Sequence, residues 1–546
     1  MTPDPASSLS AARRVRELAG LDAGDVVDVL VVGLGATGAG VALDAASRGL
    51  SVAAIDAHDL AFGTSRWSSK LIHGGLRYLG SGQVRVAYES AIERGVLMER
   101  TAPHLVRAQP FVLPLTPHLS RGEAAIIRAG HLAGELLRVS ARTSRDVLPR
   151  PRRLSAVETM CLAPALRSYG LRGGVLSWDG QLTDDARLVV AIARTAAAHG
   201  ARILTRCCAE QVSGDGALVR DELTGARITV SARAVVNATG AWAGRLVDGV
   251  RLRPSRGTHV VLKPGSLGGA IGSAVGAGLH LHVPGEGNRF VLVLPQDDGR
   301  VFVGPTDEPV DGPIPDVPQP TESEIGFLLH VLDTALDVPV RRQDVVGAFA
   351  GMRPLLDGAE ERTADLSRRH VVLTSRHGVI TIVGGKLTTY RRMARDALEA
   401  VLARLDAAGG GVTARPCRTA RLPLVGAAPP SVLAAVAAPR RLIQRYGTEA
   451  PAVLALAADD PSLLQPVAPG LPVTGAELEW AVRHEGALDE SDLLDRRTRI
   501  GLVAADRAAA LSAARQAMQS MANAGRGRST VGAVNPRLEL RGEHTA

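Results

Sequence analysis

Three glycines near the N-terminus have the spacing of a loop that binds a diphosphate. Gly33, Gly35 and Gly38 form the pattern G-x-G-x-x-G, and an acid, Asp56, follows further along the chain. In such a loop the first glycine permits a tight turn, the second lets the backbone approach a pyrophosphate, and the third lets a helix pack closely on a strand. The acid is suited to bind a ribose hydroxyl. The pattern predicts a dinucleotide site but does not by itself separate NAD from FAD.

Three later segments favour a flavin. Residues 64–70 form a polar loop, and residues 234–240 form a predicted strand that ends in a small-residue turn at Gly240. Residues 384–390 follow a predicted strand and open a helix at Gly385 and Lys386. A second helix N-terminus aimed at the cofactor suits a reduced flavin, whose ring carries negative charge. These segments therefore favour FAD over NAD.

The elements that must position these residues follow from hydrophobic patterning. Residues 28–32, 38–48 and 51–55 indicate a buried strand, a small-residue helix and a second strand, which is the start of a parallel α/β domain. Other predicted strands include 203–212, 234–237, 259–262, 289–294, 371–374 and 379–383. Predicted helices cover 83–100 and 121–141, both with charged faces, and 184–199, 322–335, 388–405 and much of 431–524.

Composition limits the class of protein. The chain has 546 residues, of which 46% are hydrophobic and 22% charged, so we expect a soluble globular protein of two to four domains. It contains no uncharged apolar stretch of 18 residues, which argues against a transmembrane helix. The N-terminus has no apolar segment typical of a secretory signal. The four cysteines lack a C-x-x-C pair, which predicts reduced cytosolic thiols and no metal site.

The charge balance favours anionic partners. The net charge is +8, with basic residues dispersed along the chain, so a phosphorylated substrate or a phospholipid surface ranks above nucleic acid. Nearly every basic residue is arginine. The only lysines are Lys70, Lys263 and Lys386, and a chain so biased toward arginine is expected to keep lysine where a compact ammonium is needed.

Several segments resemble the FAD-dependent (aerobic, respiratory) glycerol-3-phosphate dehydrogenases. The most specific is the run S-K-L-I-H-G-G-L-R-Y-L at residues 69–79. The resemblance extends from about residue 28 to 405 and weakens through the C-terminal helices, where residues 495–498 still match. The other matching segments are residues 183–187, 304–307, 351–355 and 384–391.

The resemblance implies oxidation of sn-glycerol 3-phosphate to dihydroxyacetone phosphate, with a hydride passing from C2 to flavin N5 and electrons passing on to a membrane quinone. By resemblance the substrate site contains Arg77, Tyr78, His259, Arg353 and Lys386. Arginine offers a two-pronged fork to a phosphate dianion, and histidine titrates near neutrality. We therefore assign catalysis to His259, Arg353 and Lys386.

Some of these roles stay open. Lys386 is suited to hold the phosphate, to polarise a substrate hydroxyl or to neutralise a reduced flavin. His259 lies in a predicted strand, where a core histidine is the alternative to a base. His73 is suited equally to shaping the flavin pocket and to taking part in the chemistry, and Tyr78 is expected to bind rather than catalyse. The predicted FAD contacts are Gly33, Gly35, Thr37, Gly38, Asp56, Thr64, Ser65, Ser69, Lys70, Leu71, His73, Gly74, Gly240, Gly385, Lys386, Leu387 and Thr388.

We predict an α/β fold with a doubly wound, Rossmann-like FAD-binding domain, an antiparallel-sheet substrate domain and a C-terminal helical domain. The FAD-binding domain is assigned to residues 25–95, 180–250 and 345–405, and the substrate domain to 96–179 and 251–344. The helical domain is assigned to 415–525. Residues 1–24 and 526–546 are predicted terminal extensions.

Three other functions remain open at the level of sequence. The first is an oxidase that passes electrons to O₂, which would share the same site motifs. The second is an amine-oxidising flavoenzyme of the same fold class, and the third is a dinucleotide-binding protein without turnover.

A cytoplasmic location is expected. If the acceptor is a quinone, we expect the protein to be peripheral on the cytoplasmic face of the plasma membrane, with an anionic membrane surface as its partner. The sequence is compatible with a homodimer.

Overall fold

The computed structural model describes residues 4–75, 78–79, 82–267, 276–286, 289–356, 369–409 and 413–529. Arg77, a predicted substrate residue, lies outside these ranges, as do residues 530–546 of the predicted C-terminal extension.

Strands and helices alternate through the first three quarters of the chain, and helices alone follow. The strands are β1 (Val27–Val32), β2 (Val52–Ile55), β3 (Leu71–Ile72), β4 (Val106–Pro114), β5 (Arg152–Leu154), β6 (Gly174–Leu182), β7 (Arg202–Leu204), β8 (Cys207–Ser213), β9 (Gly216–Asp221), β10 (Arg227–Asn237), β11 (Ser255–Leu262), β12 (Gly278–His282), β13 (Phe290–Pro295), β14 (Val301–Gly304), β15 (Glu308–Pro309), β16 (Val345–Arg353), β17 (His370–Thr374) and β18 (Ile380–Gly384).

The α-helices are α1 (Ala11–Asp22), α2 (Ala36–Ser47), α3 (Val84–Val96), α4 (Arg121–Ser140), α5 (Ala156–Leu162), α6 (Asp185–Ala198), α7 (Ala243–Leu246), α8 (Glu322–Ala335), α9 (Tyr390–Ala407), α10 (Pro430–Ala434), α11 (Arg440–Tyr446), α12 (Ala450–Ala455), α13 (Gly475–His484) and α14 (Ala504–Ser529). Short 3₁₀ turns at Thr64–Arg66 and Leu387–Thr389 and π turns at Leu97–Thr101 and Asp492–Arg497 supplement them.

The first sheet has the strand order β17-β18-β10-β1-β2-β7, and its central strands β18, β10, β1, β2 and β7 are parallel. Strand β1 is apolar on both faces, as a central parallel strand requires. Val29 and Val31 pack in the core that contains α2, α6 and α9, whereas Leu30 and Val32 pack with α1 and the β8–β9 hairpin. Helices thus cover one face, and α1 with the β8–β9 hairpin covers the other, which agrees with the predicted doubly wound sheet.

The N-terminal residues predicted to be an extension form part of this layer. Helix α1 buries Leu21 against the sheet, and its Arg14 forms a buried ion pair with Asp221. A buried apolar side chain on the helix and a matching carboxylate on β9 hold it in place. Over its described residues this segment is therefore folded onto the first sheet rather than extended from it.

The second sheet has the order β15-β11-β14-β13-β12-β4-β6-β3, with β16 paired to β11 and β5 paired to β6. Its pairings are antiparallel except that β12 runs parallel to β4. Helix α8 packs on it through Ile325 and Leu328. The predicted antiparallel sheet is therefore observed, with one parallel pair.

Two strands belong to a different sheet from the one their segments predicted. Strands β3 and β16 come from segments assigned to the FAD-binding domain, yet both pair within the second sheet. Strand β16 pairs with β11 along the whole length of β11, from Ser255 to Leu262. These backbone hydrogen bonds place β16 in the second sheet, although in the sequence it is closer to β18 of the first sheet. The predicted strand at 203–212 is also divided into β7 and β8, because Arg206 adopts a left-handed φ of 58°.

The C-terminal residues form the predicted helical unit. Leu478, Leu493 and Ala510 lie in its core. Ion pairs bury charged side chains where this unit meets the first sheet: Asp59 binds both Arg496 and Arg497, Arg187 binds Glu485, and Arg194 binds Glu449. In the part of the chain that the structure describes, no helix is long and apolar enough to cross a membrane.

Candidate active site

A cavity of about 1510 Å³ lies between the two sheets. The first sheet contributes Val32 and Asp56, which end or follow β1 and β2, together with Ala238 after β10 and Val383 on β18. These are the carboxyl ends of parallel strands, where an α/β sheet places its ligand. The second sheet contributes residues of β11 and β16. A ligand in the cavity would therefore contact both sheets.

The glycine loop is fixed by packing. Gly33 has a φ of 103°, and a Cβ there would lie 2.7 Å from the carbonyl oxygen of Ala238. A Cβ at Gly38 would overlap the carbonyl oxygen of Gly33. Gly35 caps α2 without a side chain, and the N–H of Ala36 donates to Ser65 Oγ at 2.9 Å. The N-terminus of α2 therefore faces the cavity with its positive dipole end, a favourable position for a diphosphate.

Asp56 is held at the end of β2 by backbone donors. Its Oδ2 accepts from the N–H of Leu34 at 2.7 Å, and its Oδ1 accepts from the N–H of His58 at 2.8 Å. Burial raises the pKa of this carboxyl, although both hydrogen bonds lower it. Each carboxylate oxygen has two lone pairs, so the group retains acceptor capacity for a ribose hydroxyl.

A second turn enters the cavity from β18. Gly384 and Gly385 have left-handed φ angles of 81° and 71°, and a Cβ at Gly385 would overlap the sulfur of Met393. The chain then continues through Lys386 into the 3₁₀ turn that opens α9. The hydroxyl of Thr388 is buried there and has no hydrogen-bond partner among the described residues. A buried hydroxyl without a partner is costly, so this position fits a bound ligand.

Lys386 extends into the cavity. Its Nζ donates to Ser90 Oγ at 2.5 Å and lies 3.9 Å from the centroid of the Tyr78 ring. Cation–π contact and a hydroxyl acceptor hold the ammonium in one orientation. The Tyr78 ring in turn stacks on His73, with centroids 6.2 Å apart. The arrangement positions one cation and two polar rings on the same wall.

His259 lies on β11 and is buried. Its Nε2 lies 2.9 Å from Ser69 Oγ, and its ring stacks on Phe349 with centroids 4.9 Å apart. Its Nδ1 is buried without a hydrogen-bond partner in the described part of the chain. Burial, followed by the charges of Lys70 and Arg353, places the pKa of His259 well below its ordinary value. Burial thus favours the neutral imidazole, and the same effect makes His259 a weaker base than a free histidine.

Arg353 ends β16 beside His259. Its Nη1 donates to Ser255 Oγ at 3.1 Å and to Asp307 Oδ1 at 3.0 Å, and its Nη2 donates to the carbonyl of Thr306 at 2.8 Å. The guanidinium lies over Gly257, where a Cβ would overlap it. Gly257 and His259 are two residues apart on β11 and so share one face of the sheet. The strand register therefore brings the guanidinium and the imidazole to the same side.

Three predicted FAD contacts lie behind the cavity wall rather than in it. Lys70 has a left-handed φ of 57°, which turns its side chain inward to Asp185 at 2.9 Å and to the carbonyls of Arg66 and Ser68. Gly38 packs against the glycine loop itself. At Gly74 a Cβ would overlap the guanidinium of Arg94. All three support the wall, and the ammonium of Lys70 binds Asp185 rather than entering the cavity.

The structure brings the other described candidates together around one cavity. Sequence reasoning missed the residues that hold Arg353 and Lys386, which are Ser255, Asp307 and Ser90. Asp307 lies in segment 304–307, which the resemblance had already marked, whereas Ser90 lies on α3 with no local signal. The candidates that line the cavity are Gly33, Gly35, Thr37, Asp56, Thr64, Ser65, Ser69, Leu71, His73, Tyr78, Gly240, His259, Arg353, Gly385, Lys386, Leu387 and Thr388.

Family models match most of the chain. The model described as FAD dependent oxidoreductase matches residues 28–391, and the model described as the C-terminal domain of alpha-glycerophosphate oxidase matches residues 417–526. A glycerol-3-phosphate dehydrogenase of Mycobacterium tuberculosis is 52% identical over 517 residues, which cover 93% of this chain and 98% of the relative. The chain belongs to the FAD-dependent glycerol-3-phosphate dehydrogenase family.

Other members of the glycerol-3-phosphate dehydrogenase family agree in extent and fold. A mitochondrial relative from Arabidopsis thaliana is 35% identical, covering 93% of this chain and 84% of the relative. The structure of the Bacillus halodurans glycerol-3-phosphate dehydrogenase complexed with FAD superposes with a TM-score of 0.71 at 26% identity, covering 98% of this chain and all of that one. An L-alpha-glycerophosphate oxidase from Mycoplasma pneumoniae shares the fold, with a TM-score of 0.56, 18% identity and coverage of 73% of this chain and 99% of that one.

The cavity fits the FAD that this glycerol-3-phosphate dehydrogenase family uses. The glycine loop and the N-terminus of α2 would hold the diphosphate, and Asp56 would hold the ribose. The Gly384–Gly385 turn and the unpartnered hydroxyl of Thr388 would lie against the rest of the cofactor. His259, Arg353 and Lys386 then remain for a second ligand in the same cavity.

Proposed function

We propose that the protein oxidises sn-glycerol 3-phosphate to dihydroxyacetone phosphate, with the C2 hydride transferred to FAD and the electrons passed to a membrane quinone. The observation that supports this most directly is a buried histidine beside an arginine, in a cavity that also contains a lysine and a glycine loop for a dinucleotide. Bound FAD supplies the two-electron acceptor.

Arg353 and Lys386 are the groups that we assign to the phosphate. A phosphate dianion suits a guanidinium that offers parallel N–H donors, and it suits a lysine as a point charge. Asp307, Ser255 and the Thr306 carbonyl fix the guanidinium before substrate arrives, so little orientation has to be gained on binding. Ser90 and the Tyr78 ring do the same for Lys386.

His259 is the group that we assign to the C2 hydroxyl proton. Oxidation of C2 removes one hydride and one proton, and the proton needs an acceptor within hydrogen-bond reach. The neutral imidazole has an Nδ1 with no partner among the described residues, while Ser69 occupies the other ring nitrogen. A bound dianion would raise the pKa of His259, because it opposes the charges of Arg353 and Lys70 that lower it. Substrate binding thus strengthens the base.

The charges of the cavity argue against an amine as substrate. An ammonium group would be repelled by Arg353 and Lys386, whereas a phosphate is attracted by both. The quinone acceptor is supported by the family rather than by the cavity. Relatives that match over nearly the full chain are named dehydrogenases, whereas the oxidase shares the fold at 18% identity.

The test is an anaerobic titration of the purified flavoprotein, followed by its visible spectrum. Glycerol 3-phosphate should bleach the flavin band, whereas glycerol and glycine at the same concentration should leave it unchanged. Bleaching by glycine but not by glycerol 3-phosphate would contradict the proposed substrate and assign the protein to amine oxidation. Reoxidation should then be faster with a soluble quinone analogue than with air-saturated buffer, and the reverse order would assign the protein as an oxidase.

A further inference from the structure

We propose that Asp179 binds the C1 hydroxyl of the three-carbon substrate and thereby sets the selectivity of the cavity at the end opposite to the phosphate. Asp179 lies on β6, and its side chain lines the cavity. Since the C1 hydroxyl belongs to glycerol 3-phosphate, this assignment rests on the proposed function. The groups assigned above bind the phosphate and the C2 hydroxyl, which leaves the C1 hydroxyl without a partner.

The carboxylate of Asp179 is fixed through one oxygen and open at the other. Its Oδ1 accepts from the N–H of Gly74 at 3.0 Å and from Arg94 Nη1 at 2.6 Å. Its Oδ2 has no hydrogen-bond partner among the described residues, and the side chain is 18% exposed although it lies in the cavity wall. A carboxylate oxygen only accepts hydrogen bonds when it is ionised, so the open oxygen suits a hydroxyl donor.

Local structure fixes the direction of the Asp179 side chain. Its neighbour Trp178 packs against the hydrophobic core, and strand alternation turns Asp179 to the opposite face, toward the cavity. The guanidinium of Arg94 reaches Asp179 across Gly74, where a Cβ would overlap it. Arg94 also places a positive charge beside the carboxylate, which reduces the repulsion between Asp179 and an anionic substrate.

Helix α3 places Asp179 beside Lys386. Lys386 Nζ donates to Ser90, and Arg94 of the same helix binds Asp179. Ser90 and Arg94 are four residues apart, so they lie on one side of α3, about 6 Å apart along its axis. The ammonium of Lys386 and the carboxylate of Asp179 therefore enter the cavity as neighbours. A three-carbon ester whose phosphate contacts Lys386 would extend its other end toward Asp179.

A carboxylate at this point discriminates between substrates of the same length. It accepts a hydrogen bond from the C1 hydroxyl of glycerol 3-phosphate. It repels 3-phosphoglycerate, which has a carboxylate at C1. It gains no hydrogen bond from propane-1,2-diol 1-phosphate, which has a methyl group in place of the C1 hydroxymethyl group. Asp179 thus favours a hydroxyl over either alternative.

The first test compares two substrates in the holoenzyme by anaerobic flavin reduction. Wild type should reduce its flavin about 10- to 100-fold faster with glycerol 3-phosphate than with propane-1,2-diol 1-phosphate, as expected for one hydrogen bond to a charged acceptor. Asp179→Ala should bring the two rate constants to within about twofold of each other. Equal losses toward both substrates would show that Asp179 supports the fold or the cofactor, and would overturn the proposal.

The second test looks for a gain of binding, which damage to the fold does not produce. Asp179→Asn keeps an oxygen acceptor for Gly74 and Arg94 but removes the negative charge. The inhibition constant of 3-phosphoglycerate, measured against glycerol 3-phosphate, should fall about tenfold in this variant, because its C1 carboxylate is no longer repelled. Unchanged or weaker inhibition would contradict the proposal.

Asp221→Asn is the matched control. Asp221 also forms a buried ion pair with an arginine, Arg14, but it lies outside the cavity lining. This variant should leave both the substrate ratio and the inhibition by 3-phosphoglycerate unchanged. Changes equal to those of Asp179→Asn would mean that loss of any buried ion pair alters the cavity, and would overturn the role of Asp179.

The wild-type protein separates this inference from the proposed function. If glycerol 3-phosphate fails to bleach the flavin, both are contradicted. If glycerol 3-phosphate and propane-1,2-diol 1-phosphate bleach it at the same rate, the proposed oxidation stands and only the role of Asp179 is overturned.

Discussion

Arginine–aspartate pairs occur in two regions of the molecule, the cavity and the interface between the C-terminal helices and the first sheet. Their roles in the two regions differ. At the interface, Asp59 is buried with Arg496 and Arg497 and fills the space between the elements. In the cavity, Arg353 is also held by a carboxylate, Asp307, but it borders open volume. In an arginine-rich chain the presence of an arginine therefore does not indicate its role. A guanidinium buried between elements contributes to stability, whereas one that borders open volume can contact a ligand.

The two regions meet behind His259. Arg499 of the C-terminal unit donates to Asp185 Oδ1 at 2.6 Å, and Asp185 Oδ2 accepts from Ser68 and Lys70. Burial alone would raise the pKa of Asp185, but Lys70 and Arg499 lower it. Ser69, which follows Ser68, contacts His259. The interface thus positions the loop that orients the proposed base.

The largest effect is expected for His259→Asn. The rate of flavin reduction by glycerol 3-phosphate should fall about 10²- to 10⁴-fold, because the C2 hydroxyl proton loses its acceptor. Anaerobic stopped-flow spectroscopy measures this rate. The matched control is His104→Asn, which replaces a buried histidine outside the cavity lining and should leave the rate unchanged. An unchanged rate in His259→Asn would make His259 a core histidine.

Asp59→Asn should have the largest effect on stability. It removes the carboxylate that binds both buried guanidinium groups, of which Arg496 keeps Asp492, so the free energy of unfolding should fall by about 3–5 kcal/mol. Urea denaturation measures the change, and the flavin reduction rate of the folded fraction should stay close to wild type. Asp297→Asn is the control: it removes the exposed partner of half-buried Arg107 and should cost less than about 1 kcal/mol. Equal losses of unfolding free energy in the two variants would contradict the stabilising role of the buried ion pairs at the interface.

The acid sensitivity of stability should depend on His259. Because the folded pKa of His259 lies below its unfolded value, the unfolded chain binds one more proton as pH falls below about 6.5. Wild-type stability should therefore decrease with falling pH by up to about 1.4 kcal/mol per pH unit more than that of His259→Asn. Urea denaturation from pH 7 to pH 5 checks this. Parallel curves would show that the histidine is not held neutral.

The smallest effect is expected for Arg499→Gln, which breaks the connection between the regions. Asp185 keeps Lys70 as a partner, so we expect severalfold slower flavin reduction and an unchanged KM for glycerol 3-phosphate. Steady-state kinetics with a soluble quinone analogue separates kcat from KM. A change in KM alone would mean that the interface acts on substrate binding rather than on His259.

The sequence was sufficient for the parts of the fold that depend on local pattern. The glycine loop, β1, the helix at 322–335 and the C-terminal helices were all predictable, because each rests on a short motif or on regular hydrophobic spacing. The segment that forms strand β16 was assigned to the FAD-binding domain rather than to the second sheet, because its pairing with β11 depends on residues nearly a hundred positions away. Such pairings are decided by tertiary contacts that local spacing does not encode.

The candidate site shows the same limit. Arg353 and Lys386 were identified by resemblance, but Ser90 and Ser255, which orient them, belong to other elements and have no local signal. The inward direction of the Lys70 side chain, toward Asp185, was not predictable, because a left-handed backbone at a lysine does not follow from its residue type. Helix α4 was predicted with a charged face, yet which side meets solvent depends on the sheet it packs against. The exposure of its apolar residues Leu132 and Leu136 was therefore visible only in the structure.

The most direct test of the account is the discrimination between glycerol 3-phosphate and glycerol by wild type and by Arg353→Met. Anaerobic flavin reduction gives an apparent second-order rate constant for each substrate, and Arg256→Met, on the neighbouring strand but outside the cavity lining, is the control. We predict that Arg353→Met loses about 10- to 100-fold toward glycerol 3-phosphate and little toward glycerol, because only the phosphate contact is removed. Equal losses toward both substrates, or wild-type discrimination in the variant, would contradict the assignment of Arg353 to the substrate phosphate.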